Sequence, residues 1–129
     1  MQVAWQAEDL TLGYAAADRE AIAASVAEHC VVAELDGRLV GYAYGAVRPS
    51  AGELVWGDDP VHFEVEDIYV VPELRSHGVG AELFRSLEAS ARQAGVTRLK
   101  IYSATRDIRR IMQFYEKLGL TPWYIVMFK

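Results

Sequence analysis

One stretch constrains this chain more than any other. It runs from VHFEVEDIYVV at Val61–Val71, through Pro72 and Arg75-Ser76-His77-Gly78-Val79-Gly80, into an amphipathic run. The first piece is rich in β-branched and aromatic residues and reads as a long strand, stopped by Pro72, which has no N–H to give a ladder. Val79, Leu83, Phe84, Leu87 and Ala91 then recur at helical spacing, with Glu82, Arg85, Glu88 and Arg92 on the opposite face. Glu88 and Arg92 form an i,i+4 pair in the favoured order, and Gly95 closes the helix. A strand that feeds a one-sided helix through a glycine-bearing turn needs a sheet for the helix to lie on. The fold class is therefore α/β or α+β, layered on one sheet.

The rest of the chain supplies that sheet. Residues 15–29 (AAADREAIAASVAEH) read as an amphipathic helix carrying Ile22 and Val26. Val31–Leu35 and Leu39–Val47 flank Asp36-Gly37, which predicts a hairpin. A loop region follows, with a brief strand at Glu53–Trp56. Leu99–Ser103 reads as a short strand, and Ile108, Ile111, Met112, Tyr115 and Leu118 mark a second helix closed by Gly119. Trp123–Phe128 reads as a terminal strand. No repeat or linker divides the chain, so residues 1–129 are expected to form a single domain.

Composition narrows the function. No apolar run approaches the ~18 residues of a membrane span, and the N-terminal MQVAWQAEDL lacks the pattern of a signal peptide. Cys30 is the single cysteine, expected to be a buried, inert thiol. His29, His62 and His77 have no metal-ligand spacing. The expectation is a cytoplasmic protein with no metal and no membrane partner. The net charge of −5 argues against nucleic acid as a partner. Residues 1–67 hold 13 Asp/Glu against 3 Lys/Arg, whereas 68–129 hold 5 against 10. This asymmetry suits either a site that holds an anion on one side and a cation on the other, or two differently solvated faces.

The loop Arg75–Gly80 lies where a strand turns into a helix. The first N–H groups of such a helix have no intrahelical partner, glycine lets a ligand approach the backbone, and Arg75 adds charge. A pyrophosphate fits there, and so does a plain strand-to-helix turn. A dinucleotide fingerprint would need glycine where Leu83 stands, and a Walker loop would need Gly-Lys-Ser/Thr.

The segment VVPELRSHGVGAEL (Val70–Leu83) resembles the acetyl-coenzyme A signature R/Q-x-x-G-x-G/A of the GNAT-type N-acetyltransferases. Val32–Gly41 resembles that family's preceding hairpin, and Phe114-Tyr115-Glu116-Lys117-Leu118-Gly119-Leu120 resembles its segment near the C-terminus. The chain departs from the family pattern at Ile108, where asparagine is usual, and at Ile111, where a small residue is usual.

The resemblance implies an α/β fold with a mixed, mostly antiparallel central sheet flanked by helices. Its fourth strand, here Phe63–Val71, would splay from its fifth, here Leu99–Ser103. Acetyl-CoA would serve as cosubstrate, its pantetheine arm along Ile68, Tyr69 and Val70 and its pyrophosphate among Arg75, Ser76, His77, Gly78, Val79, Gly80 and Ala81. Arg106, Arg109 and Arg110 would either face the phosphates or form a solvated helix start. The implied reaction moves an acetyl group to a primary amine by direct attack in a ternary complex. Tyr115 would protonate the leaving thiolate, and Glu66 would either deprotonate the amine or anchor its ammonium. Strict alternation puts Glu64 and Glu66 on one face with Ile68 and Val70, and Asp67 on the other with Val65 and Tyr69. His62 is a weaker candidate base. The acceptor would be a small molecule or a protein amine, and a homodimer is a possible assembly. A non-catalytic acyl-coenzyme A-binding sensor or regulatory module is the alternative.

Overall fold

The computed structural model describes residues 29–50, 59–103 and 106–129. The strand expected at Glu53–Trp56 and all but the last residue of the helix expected over 15–29 lie outside the described residues; that last residue, His29, opens a strand instead. Four strands form one sheet in the order β1-β2-β3-β4: β1 (His29–Leu35), β2 (Arg38–Pro49), β3 (Val61–Val70) and β4 (Leu99–Ile101). The first two pairings are antiparallel and β3–β4 is parallel, so the described sheet is mixed and mostly antiparallel. Helix α1 (Val79–Gln93) and helix α2 (Ile108–Lys117) flank it.

The hairpin forms where Asp36-Gly37 predicts it. Both turn residues have positive φ, 51° and 76°, the condition for a two-residue turn whose twist matches its strands. Helix α1 lies on β1, β2 and β3 and buries Leu83, Phe84, Leu87 and Ala91, four of the five residues of the expected stripe. They meet Ala43, Phe63, Val65 and Val70 from the sheet. Gly41 and Gly45 permit this close layer. A Cβ on Gly41 would stand 2.8 Å from the Tyr69 carbonyl oxygen, and one on Gly45 would stand 2.5 Å from the Phe63 ring.

Three expectations need correction. Trp123–Phe128 pairs with no strand among the described residues and is strongly exposed, Phe128 at 97%. Its ring contact is Tyr124 on Tyr102, with centroids 6.5 Å apart. A β-prone composition becomes a strand only where a neighbouring edge supplies backbone partners. Cys30 is exposed rather than buried, because it alternates outward on β1. The strand β3 also breaks strict alternation. Gly45 pairs with Val65 and Tyr44 with Asp67, so Glu66 is an extra residue, a bulge. Val65, Ile68 and Val70 therefore face α1, while Glu64, Asp67 and Tyr69 share the opposite face.

Candidate active site

The bulge sits where the sheet divides. Strand β3 pairs with β4 through Phe63, Glu64 and Val65 and then continues to Val70. Past Val65, among the described residues, its register runs against β2 alone. The strand that the resemblance numbers fourth thus parts from its fifth at Glu66, leaving Ile68, Tyr69 and Val70 beside the opening.

A 3-10 turn, Pro72–Leu74, carries the chain from β3 to the loop. Ser76 (φ 65°) and Gly78 (φ 87°) occupy the left-handed region, and Gly78 is the N-cap of α1 with no side-chain cap. A Cβ on Gly78 would meet nothing within 4 Å. The capless amino end of a 15-residue helix therefore opens onto free space, as backbone binding of a phosphate requires. His77 and Ser76 are exposed, and Val79, Gly80 and Ala81 are partly covered in the first turn. His77 Nδ1 lies 2.8 Å from the Arg75 carbonyl oxygen; a carbonyl only accepts, so Nδ1 carries the proton.

Arg75 is placed otherwise than as a free phosphate ligand. Its Nε–H donates to the Val70 carbonyl at 2.9 Å, and its guanidinium carbon stands 5.5 Å from the Tyr69 ring centroid. Both contacts tie the loop to the end of β3, a role that a fork-shaped donor with a stackable face performs well. Arg110 brings charge from the other side. Asp107 caps α2 by accepting from the Arg110 backbone N–H at 3.1 Å, and Arg110 Nη2 donates to the Ser76 hydroxyl at 3.2 Å.

Tyr115 reaches the same opening from α2. Its ring meets Phe84 (6.2 Å) and Phe114 (5.0 Å) edge-on. Burial pushes its phenol up to about 12; the Asp67 charge adds to this and a hydrogen bond with the Ser103 side chain opposes it. The Tyr115 hydroxyl thus meets Ser103 just beyond β4 and feels Asp67 on β3, while its neighbour Phe114 lies beside Gly80.

The acidic side chains divide into two groups. Glu66 is exposed and pairs with Arg48 Nη2 at 3.0 Å, while Glu64 stands 3.7 Å from Arg48 Nε. Asp67, absent from the residues assigned a role by sequence, is more covered. It accepts from the Tyr42 hydroxyl at 2.7 Å. Burial raises its carboxyl above the ordinary range, against hydrogen bonds from Tyr42 and the Ile68 backbone. The aspartate was visible in sequence, but its position depends on a bulge that alternation does not reveal. His62 is 1% exposed near the start of β3, its Nδ1 3.0 Å from the Ser50 hydroxyl, which makes it a pin between strands rather than a base at the opening. Among the described residues, no group of three His, Cys, Asp or Glu could hold a metal.

An open glycine turn at the amino end of α1 thus lies at the far end of β3 from the residues that pair with β4. The chain belongs to the acetyltransferase (GNAT) family, whose model matches residues 2–120. Compared by sequence with curated proteins, it matches none. Its fold resembles that of the aminoglycoside N-acetyltransferase AAC(6')-Iy in complex with the bisubstrate analog CoA-S-monomethyl-acetylneamine. That likeness has a TM-score of 0.70 and 19% identity, over 92% of this chain and 83% of the other. A putative acetyl transferase from Pyrococcus furiosus gives 0.67 and 20%, over 85% and 72%. Glucosamine-6-phosphate N-acetyltransferase from Arabidopsis thaliana gives 0.63 and 18%, over 85% and 71%. No described helix is long and apolar enough to cross a membrane.

Proposed function

We propose that this chain is a single-domain, acetyl-CoA-dependent N-acetyltransferase acting on a primary amine of a small molecule, by direct attack within a ternary complex. The parting of β3 from β4 at the Glu66 bulge, with the glycine turn at one end and Tyr115 across it, carries this reading. The residues fit the cosubstrate. The capless N–H groups of α1 and Arg110 suit the pyrophosphate, and the backbone of Ile68, Tyr69 and Val70 past the last β4 pair suits the pantetheine amides. Arg75 acts as the brace of this loop through Val70 and Tyr69. Tyr115 is the proton donor to sulfur. The structural neighbours whose names include an aminoglycoside and an amino sugar support a small amine acceptor, and the acidic face of β3 supports a cationic one.

Two measurements test this. Acetyl-CoA at 100 times its Kd stabilises a folded site by ~2.7 kcal/mol, roughly a 10 °C rise in Tm for a chain of this size. Thiol release is then followed with acetyl-CoA and neamine, glucosamine or spermidine, with the amine-free reaction as the negative control. A shift with no amine-dependent release overturns the enzyme in favour of a binding module.

Glu66 is the ammonium anchor rather than the proton acceptor, because its carboxylate is already shared with Arg48. Glu66→Gln then raises KM for the amine several-fold with kcat unchanged, since it removes attraction felt equally before and during transfer. A fall in kcat that deepens at low pH makes Glu66 the base instead.

A further inference from the structure

Among the carboxylates near the parted strands, one is set apart by what holds it. Glu64 and Glu66 share Arg48, at 3.7 and 3.0 Å. Asp67, the residue after the bulge, is held among the described residues by neutral donors: the Tyr42 hydroxyl at 2.7 Å and the Ile68 backbone. At Glu66 an incoming ammonium shares the carboxylate with a tethered guanidinium, which suits an anchor, whereas at Asp67 it meets a charge that no described cation neutralises, which suits a proton acceptor. Tyr42 is itself fixed. Its ring stacks between Tyr44 (centroids 6.1 Å apart) and Tyr69 (5.9 Å apart), and Arg75 lies over Tyr69. The brace of the phosphate loop and the holder of Asp67 therefore belong to one continuous stack on the face away from α1.

We infer that Asp67 accepts the proton of the acceptor ammonium and that Tyr42, through its hydroxyl bond and its place in the tyrosine stack, is the residue that positions it. This rests on the transferase reading above. The proton balance closes with groups already named. One ammonium proton passes to the Asp67 carboxylate and on to solvent. The freed nitrogen lone pair forms the C–N bond, the C–S bond breaks, and the Tyr115 phenol gives its proton to sulfur. The surplus N–H proton of the new amide nitrogen restores the phenol.

The groups facing Asp67 are Tyr42 and Tyr44 from β2 and Tyr115 from α2, with Glu64, Glu66 and Tyr69 on its own strand and Arg48 beyond the two glutamates. Burial and the Asp67 charge push both Tyr42 and Tyr44 up, so each keeps its proton and Tyr42 remains a donor. Its bond favours the charged form of Asp67, and burial opposes it. Removing the bond moves the Asp67 carboxyl further up, so the pH at which the base becomes available rises.

The test compares wild type, Tyr42→Phe and Asp67→Asn in the kcat/KM-against-pH profile, with acetyl-CoA and whichever of neamine, glucosamine or spermidine wild type acetylates fastest. Phenylalanine keeps the ring in its stack, and the acetyl-CoA thermal shift confirms that each variant is folded. Tyr42→Phe moves the acid limb up by about 1–2 pH units and regains most of the wild-type rate above it. Asp67→Asn loses about 10²–10⁴-fold at neutral pH and recovers as the free amine becomes abundant. An unshifted acid limb in Tyr42→Phe, or a pH-independent loss in Asp67→Asn, overturns the inference while leaving the transferase intact. No acetylation by wild type overturns the transferase itself.

Discussion

Tyr115→Phe lowers kcat by roughly 10²–10⁴-fold, the range expected for loss of a general acid, while acetyl-CoA binding holds. The separation follows from what the ring and the hydroxyl each do. The ring packs against Phe84 and Phe114, and phenylalanine keeps both contacts. The hydroxyl bonds the Ser103 side chain, and its loss costs the fold only ~1 kcal/mol. The phenol, raised to about 12 by burial and then by the Asp67 charge, stays protonated through the whole neutral range. Giving that proton to a fully formed thiolate, of ordinary pKa ~8.5, is uphill by about 5 kcal/mol as an isolated step. Transfer must therefore accompany C–S cleavage, with the amine nitrogen returning a proton to the phenol. Because the raised value keeps the acid form in place, Tyr115 sets no alkaline limb below about pH 12. Stopped-flow thiol release across pH, with a thermal-shift titration of the same protein, checks both halves. Full activity in Tyr115→Phe makes the tyrosine a packing residue of α2.

Legibility in the sequence follows the range of the interaction that decides each feature. The hairpin at Asp36-Gly37 is set by two residues' backbone preference, and the α1 stripe by period alone, so both are readable locally. The loop Arg75–Gly80 was legible as a glycine turn into a helix because glycine and a helix start are local signals. The role of Arg75 was not, since its partners Val70 and Tyr69 become neighbours only when the chain turns back through Pro72–Leu74. The bulge at Glu66 is hidden for a similar reason. Whether β3 carries an extra residue depends on its pairing with Tyr44 and Gly45, and one slip moves Asp67 from the face of Val65 to that of Glu64. Trp123–Phe128 shows the converse. Its β-prone composition is readable, but the backbone edge needed to make it a strand is a property of the rest of the fold.

Gly80→Val abolishes the thermal shift given by acetyl-CoA, a rise in Kd of a hundredfold or more, and does so by a route different from a change at Gly78. A Cβ at Gly80 stands 3.3 Å from Phe114 Cζ, 3.5 Å from Cε2 and 3.9 Å from Val70 Cγ2. A single methyl already requires the Phe114 ring to give by a few tenths of an ångström, and valine adds two more carbons on the same side. Phe114 neighbours Tyr115 at 5.0 Å, so displacing it moves the acid as well as the wall between α1 and α2. At Gly78 there is space, since a Cβ meets nothing within 4 Å, but φ is 87°. Gly78→Ala therefore strains the backbone by about 1–2 kcal/mol, which weakens binding about tenfold if the turn must keep its shape to take the phosphate. The order expected is wild type, then Gly78→Ala, then Gly80→Val, read as the Tm increment at a fixed acetyl-CoA concentration. Circular dichroism of the unliganded proteins separates lost binding from lost fold. A full increment in folded Gly80→Val places the cosubstrate away from the junction of α1, α2 and β3, and the phosphate reading of the loop falls with it.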